Sequence, residues 1–72
     1  MKKKFKLEEL DCANCAAKME DAIRKIPGVT EANISFMAQK LTLEADDARF
    51  EQILDEAQRC ITKVERACRI VR

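Results

Sequence analysis

The sequence predicts an α+β sandwich: a β-α-β-β-α-β order in which two helices cover one face of a four-stranded antiparallel sheet. Two stretches repeat apolar residues every three to four positions, the period of a helix face. Several others alternate apolar and polar residues, the period of a strand. The only proline and only glycine stand together at Pro27-Gly28 and punctuate the chain between two such segments.

The elements follow in order. Lys4 to Leu10 alternates, with Phe5 and Leu7 on one face, and reads as a first strand. Lys2, Lys3 and Lys4 before it read as a solvated, fraying end. Asp11-Cys12-Ala13-Asn14 reads as a loop. From Cys15 to Ile26 the residues Ala16, Met19, Ile23 and Ile26 make one helical stripe, set among good helix formers such as Ala17, Lys18 and Glu20. Pro27 cannot continue that helix and Gly28 supplies the turn.

Val29 to Met37 alternates again, with Ala32, Ile34 and Phe36 on one side. A short turn over Met37 to Lys40 leads to a third strand through Leu41, Leu43 and Ala45, forming a hairpin with the second. Asp46 or Asp47 caps a second helix, whose apolar face is Phe50, Ile53, Leu54, Ala57, Ile61 and Val64. Cys68-Arg69-Ile70-Val71 closes the sheet. Packing two amphipathic helices on one side of such a sheet is the compact solution for this order, the ferredoxin-like arrangement. The 72 residues make one domain, 1–72, with 47% apolar residues to form its core.

Composition narrows the function. A net charge of +1 sets up no field that draws nucleic acid. The absence of Trp and Tyr removes stacking platforms for single strands. No apolar run approaches the length of a membrane span, and the basic start is not followed by the apolar core of a signal peptide. The expected location is the cytosol, and the expected state a monomer. There, four cysteines in a short chain indicate metal or redox chemistry ahead of disulfides.

Asp11-Cys12-Ala13-Asn14-Cys15 carries that chemistry. Two thiolates separated by two residues can turn toward one ion from a tight loop. Cys15 at the start of the first helix meets free N–H groups and the positive end of the helix dipole, which lower thiol pKa values and favour the ligand form. The ion is soft or borderline: copper(I), zinc, cadmium, lead or mercury. The same spacing also serves dithiol redox chemistry, but Ala13-Asn14 between the cysteines, and a proline no nearer than Pro27, set it behind metal binding.

Leu10-Asp11-Cys12-Ala13-Asn14-Cys15-Ala16-Ala17-Lys18-Met19-Glu20 resembles the metal loop of the heavy-metal-associated domain. Ile26-Pro27-Gly28-Val29 with Ala32-Asn33-Ile34 resembles that family's turn and second strand. The resemblance covers nearly the whole chain. It implies a free metallochaperone or a cytosolic domain at the N-terminus of a metal-transporting P-type ATPase. Glu9, Leu10 and the segment Lys63-Val64-Glu65-Arg66-Ala67 depart from the copper branch. Asp11 directly before Cys12 resembles the zinc, cadmium and lead branch, where that carboxylate is a ligand.

The chemistry of Asp11 agrees independently. Copper(I) is satisfied by two thiolates, whereas zinc and cadmium take about four ligands and accept oxygen. A carboxylate beside the thiolates therefore favours divalent ions and penalises copper. The alternatives for Asp11 are a helix cap or a solvated side chain.

The expected metal ligands are thus Asp11, Cys12 and Cys15, with zinc, cadmium or lead as ion and copper(I) as the alternative. Three ligands leave an open position, as transfer by exchange requires. Glu65 or Cys68 is a candidate fourth ligand, although alternation with Ile70 points Cys68 inward. Cys60 and Met19 read as core residues. The leading function is an N-terminal domain of a zinc-, cadmium- or lead-exporting ATPase. It passes its ion to the membrane domain or other cytosolic domains of the pump, or regulates turnover, without hydrolysing ATP itself. A free copper(I) or mercury(II) metallochaperone is the second reading, and a dithiol redox protein the third.

Overall fold

The computed structural model describes all 72 residues. Strand β1 spans Lys2–Glu8, helix α1 Ala13–Arg24, β2 Val29–Ser35 and β3 Lys40–Ala45. A 3-10 turn over Asp47–Arg49 leads into helix α2, Phe50–Val64, and β4 is Arg69–Val71. The sheet order is β2-β3-β1-β4, with every pair antiparallel. This is the predicted β-α-β-β-α-β sandwich.

The helices form because their apolar positions fall on one stripe. Ala16, Met19 and Ile23 of α1, and Phe50, Ile53, Leu54, Ala57 and Ile61 of α2, are all buried. They meet the inner face of the sheet at Leu7, Ala32, Leu41, Leu43, Ala45 and Ile70. No polar or charged residue is buried, so apolar burial is what drives this core together. Gly28 adopts φ +96°, and a Cβ there would stand 2.9 Å from Ile53 Cδ1. The turn after α1 therefore needs glycine for its backbone and for the close approach of α2.

Several boundaries differ from the sequence reading. The lysine start is not a frayed end: Lys2, Lys3 and Lys4 pair with Glu44, Leu43 and Thr42, with their side chains in solvent. Strand β1 stops at Glu8 because Glu9 takes φ +63° and breaks the extended run. Helix α1 begins at Ala13, two residues before Cys15, and its regular turns end at Arg24. Residues 25 and 26 tighten into bonds to Ala22 and Ile23 carbonyls, since the residue before Pro27 avoids the helical region. Asp46 caps the 3-10 turn, accepting from the Ala48 N–H at 3.2 Å, and not α2 itself.

Both sheet edges are closed by helix side chains. On β2 the outward Ile34 N–H donates to Glu20 Oε2 at 2.7 Å, and Arg24 Nε donates to the Ala32 carbonyl at 2.9 Å. Glu20 and Arg24 are themselves paired one helical turn apart. On β4 the Gln58 amide accepts from the Ile70 N–H at 2.8 Å and donates to the Cys68 carbonyl at 3.3 Å. These groups take the place of a neighbouring strand, which an open edge would otherwise recruit. A Glu20→Ala/Arg24→Ala variant is expected to lose about 1–2 kcal/mol and to self-associate with rising concentration in sedimentation velocity. A variant that sediments as the wild type does at every concentration would refute the edge role.

Candidate metal centre

The link from β1 to α1 holds the sulfur pair. Leu10 is only 2% exposed and pins the link to the core one residue before Asp11. Cys12 is the N-cap of α1, with extended backbone (φ −134°, ψ 121°), and its Sγ accepts from the Cys15 N–H at 3.2 Å. Its carbonyl accepts the first helical bond, from Ala16 N–H, at 3.0 Å. A thiol thus does the capping that serine or aspartate usually does. Cys15 lies in the first turn, and both cysteines are half-buried.

The two sulfurs are electrostatically unequal, contrary to the expectation that both thiols are acidified. The Cys12 pKa is lowered, first by the hydrogen bond from the Cys15 thiol and then by the backbone N–H groups of Cys15 and Asn14. The Cys15 pKa is pushed up to about 11, chiefly because its thiol donates to Cys12. Loss of hydration and the negative charges of Cys12 and Glu65 add to the rise. A proton held between two sulfurs favours one at the expense of the other.

Asp11 is exposed. Glu65 caps the end of α2, is half-buried, and is close enough to act on both thiols. No three Cys, Asp or Glu side chains are gathered at ion-holding distance, so the centre as it stands is a dithiol with carboxylates on its rim. Cys68 is 0% exposed, and burial raises its pKa, with Glu65 and Asp11 adding to the rise. It points inward, as alternation with Ile70 implied. Met19 is fully buried core. Cys60 is half-buried against the core's edge instead of enclosed, because it sits at the rim of the α2 stripe. Sequence reasoning did not single out Gln39, whose side-chain amide donates to the Leu10 carbonyl at 2.8 Å.

The family model described as "Heavy-metal-associated domain" matches residues 4–67. The chain belongs to the heavy-metal-associated domain family. Among similar proteins, the zinc/cadmium/lead-transporting P-type ATPase of Escherichia coli (strain K12) is 38% identical over 56 residues, covering 74% of this chain and 8% of the ATPase. The copper chaperone CopZ of Enterococcus hirae is 28% identical over 51 residues, covering 71% of this chain and 74% of the chaperone. A solved CopZ metallochaperone structure superposes with a TM-score of 0.73 at 22% identity, covering 99% of this chain and all of that one. The chain spans less than a tenth of the length of the ATPases it matches. The heavy-metal-associated domain is a non-catalytic metal-binding unit, and the loop with Cys12 and Cys15 lies within the matched residues. No helix of the chain is long and apolar enough to cross a membrane.

Proposed function

We propose that this domain captures a divalent soft ion (zinc, cadmium or lead) through Cys12, Cys15 and Asp11, as the cytosolic N-terminal part of a P-type exporting ATPase. The observation that carries the reading is a helix-capping thiol, Cys12, held one turn from Cys15 with a carboxylate immediately before it. The donor chemistry fits. Cys12 offers a sulfur of lowered pKa, and Cys15 releases its proton when an ion takes that proton's place. Exposed Asp11 swings in as the oxygen ligand that divalent ions accept and copper(I) does not need. Glu65, whose charge already acts on both thiols, is the candidate for a fourth position.

Neither thiol lies in an enclosed cavity; the hollows of the surface are elsewhere. An open face with an open coordination position suits hand-over by ligand exchange to another part of the pump, and the domain itself carries out no hydrolysis. The match to a copper chaperone close to this chain's own size supports a second reading, a free copper(I) metallochaperone.

Competitive titration separates them. Zinc, cadmium, lead and copper(I) are added to the reduced domain, wild type and Asp11→Ala, against chelators of known strength. The substitution is expected to weaken the divalent ions at least about tenfold and to leave copper(I) little changed. Equal weakening of all four, or none, would remove Asp11 from the ligand set and favour the chaperone reading.

A further inference from the structure

Two non-glycine residues have left-handed backbone, Glu9 at φ +63° and Gln39 at φ +55°. That conformation costs energy in a residue with a Cβ, and it concentrates where geometry serves a site. Glu9 opens the link that carries Asp11 and Cys12, and Gln39 ends the turn between β2 and β3. Gln39 bonds to the residues on either side of Glu9, Leu7 and Leu10. The Gln39 carbonyl accepts from the Leu7 N–H at 2.8 Å. Its side-chain Nε2 donates to the Leu10 carbonyl at 2.8 Å and to the Phe36 carbonyl at 2.9 Å.

We propose that Gln39 is a positioning residue for the metal loop, fixing the backbone from which Asp11 and Cys12 project without touching the ion. The inference rests on the reading of Cys12 and Cys15 as the ligand pair. An amide nitrogen has two hydrogens, and here both are taken by carbonyls from different segments. Glutamate would bring no donor at neutral pH, and asparagine is one methylene shorter. Leu10 is thereby held twice, its side chain by the core and its carbonyl by Gln39. Asp11 and Cys12 follow directly, so the freedom left to the first ligand atoms is set by a residue on another hairpin. Partners beyond the ligands tune metal sites by holding the ligands in place.

The alternative is that Gln39 merely staples two loops and matters only to stability. Two variants of the full chain decide between them. Gln39→Met keeps length and removes the donors. Gln39→Gly removes the whole side chain and suits the left-handed backbone, so it keeps the turn even if the methionine variant folds poorly. Cadmium is the probe, read by competition with a chelator well below the melting temperature, by thiolate-to-cadmium absorbance, and by hydrogen exchange of amides 11–15 in the metal-free state. Both variants are expected to bind cadmium about tenfold more weakly, to show altered absorbance per bound ion, and to exchange those amides faster.

Wild-type affinity and absorbance in folded variants, with only the melting temperature lowered, would overturn the positioning role. If instead the wild-type chain takes up cadmium no better than its Cys12→Ser/Cys15→Ser variant, the functional reading itself fails, and this inference with it.

Discussion

Exchanging Cys12 and Cys15 together for serine is expected to raise the zinc or cadmium dissociation constant by at least about a thousandfold, with the fold intact. Serine hydroxyls are hard donors and stay protonated at neutral pH, so both anchoring bonds disappear. Both sulfurs are only half-buried, Cys15 at the edge of the core, and serine keeps the cap of α1, so the melting temperature of the metal-free chain should change little. Wild type itself should show the proton held at Cys15. Its pKa is pushed up to about 11 by the hydrogen bond it donates to Cys12, so below that an arriving ion must displace a proton. The sign follows: a rising pH removes the competitor and strengthens binding. Between about pH 7 and 9 the apparent affinity should rise at least about tenfold per unit, levelling only as pH passes through the Cys15 value. Iodoacetamide should modify Cys12 first, because its thiolate is the more available of the two. An affinity independent of pH across that range would contradict the shared-proton description.

The elements were legible because they rest on burial, and burial writes periods into a sequence. Met19 and Ile23, or Ile53, Ala57 and Ile61, are placed by spacing alone, and the structure buries all five. Element ends were less legible because backbone detail decides them. Three successive lysines look like a tail, yet a strand with one solvated face tolerates them, and the partner strand β3 supplies the pairing. Glu9 carries no mark of its left-handed backbone, a role glycine or asparagine usually fills. The start of α1 was missed because cysteine is not among the usual capping residues.

The centre divides in the same way. The spacing of Cys12 and Cys15 identifies the thiol pair, and the family match agrees with the resemblance the motif suggested. The opposite pKa shifts depend on which sulfur receives the N–H and which keeps the proton, a fact of three dimensions. Gln39 stands 29 residues from Leu10, and its link to that carbonyl leaves no pattern in a single sequence. Its place in the turn of the β2–β3 hairpin is too common a position to single out.

Leu43→Ala is expected to be among the most destabilising single truncations of the core, and it bears on how fold and ion are related. Leu43 is 0% exposed on β3, the strand between β2 and β1, within the apolar core. Removing its branched end should cost about 2–5 kcal/mol, because the rigid sheet cannot close over the cavity. A chain of this length has roughly 4–11 kcal/mol of stability in all, so the variant should melt on the order of 10–35 °C lower. An apolar core that sets the stability implies that the metal-free wild type unfolds in one cooperative step. It also implies that a bound ion adds only a linkage term, about 4 kcal/mol at a thousandfold excess over the dissociation constant. Zinc should therefore raise the melting temperature of wild type and of Leu43→Ala alike without being required by either. Calorimetry of the chelator-treated wild type decides the matter. A broad, non-cooperative trace that sharpens only on adding zinc would mean that the ion organises the fold, as in a zinc finger, and that the domain cannot release its ion without losing its structure.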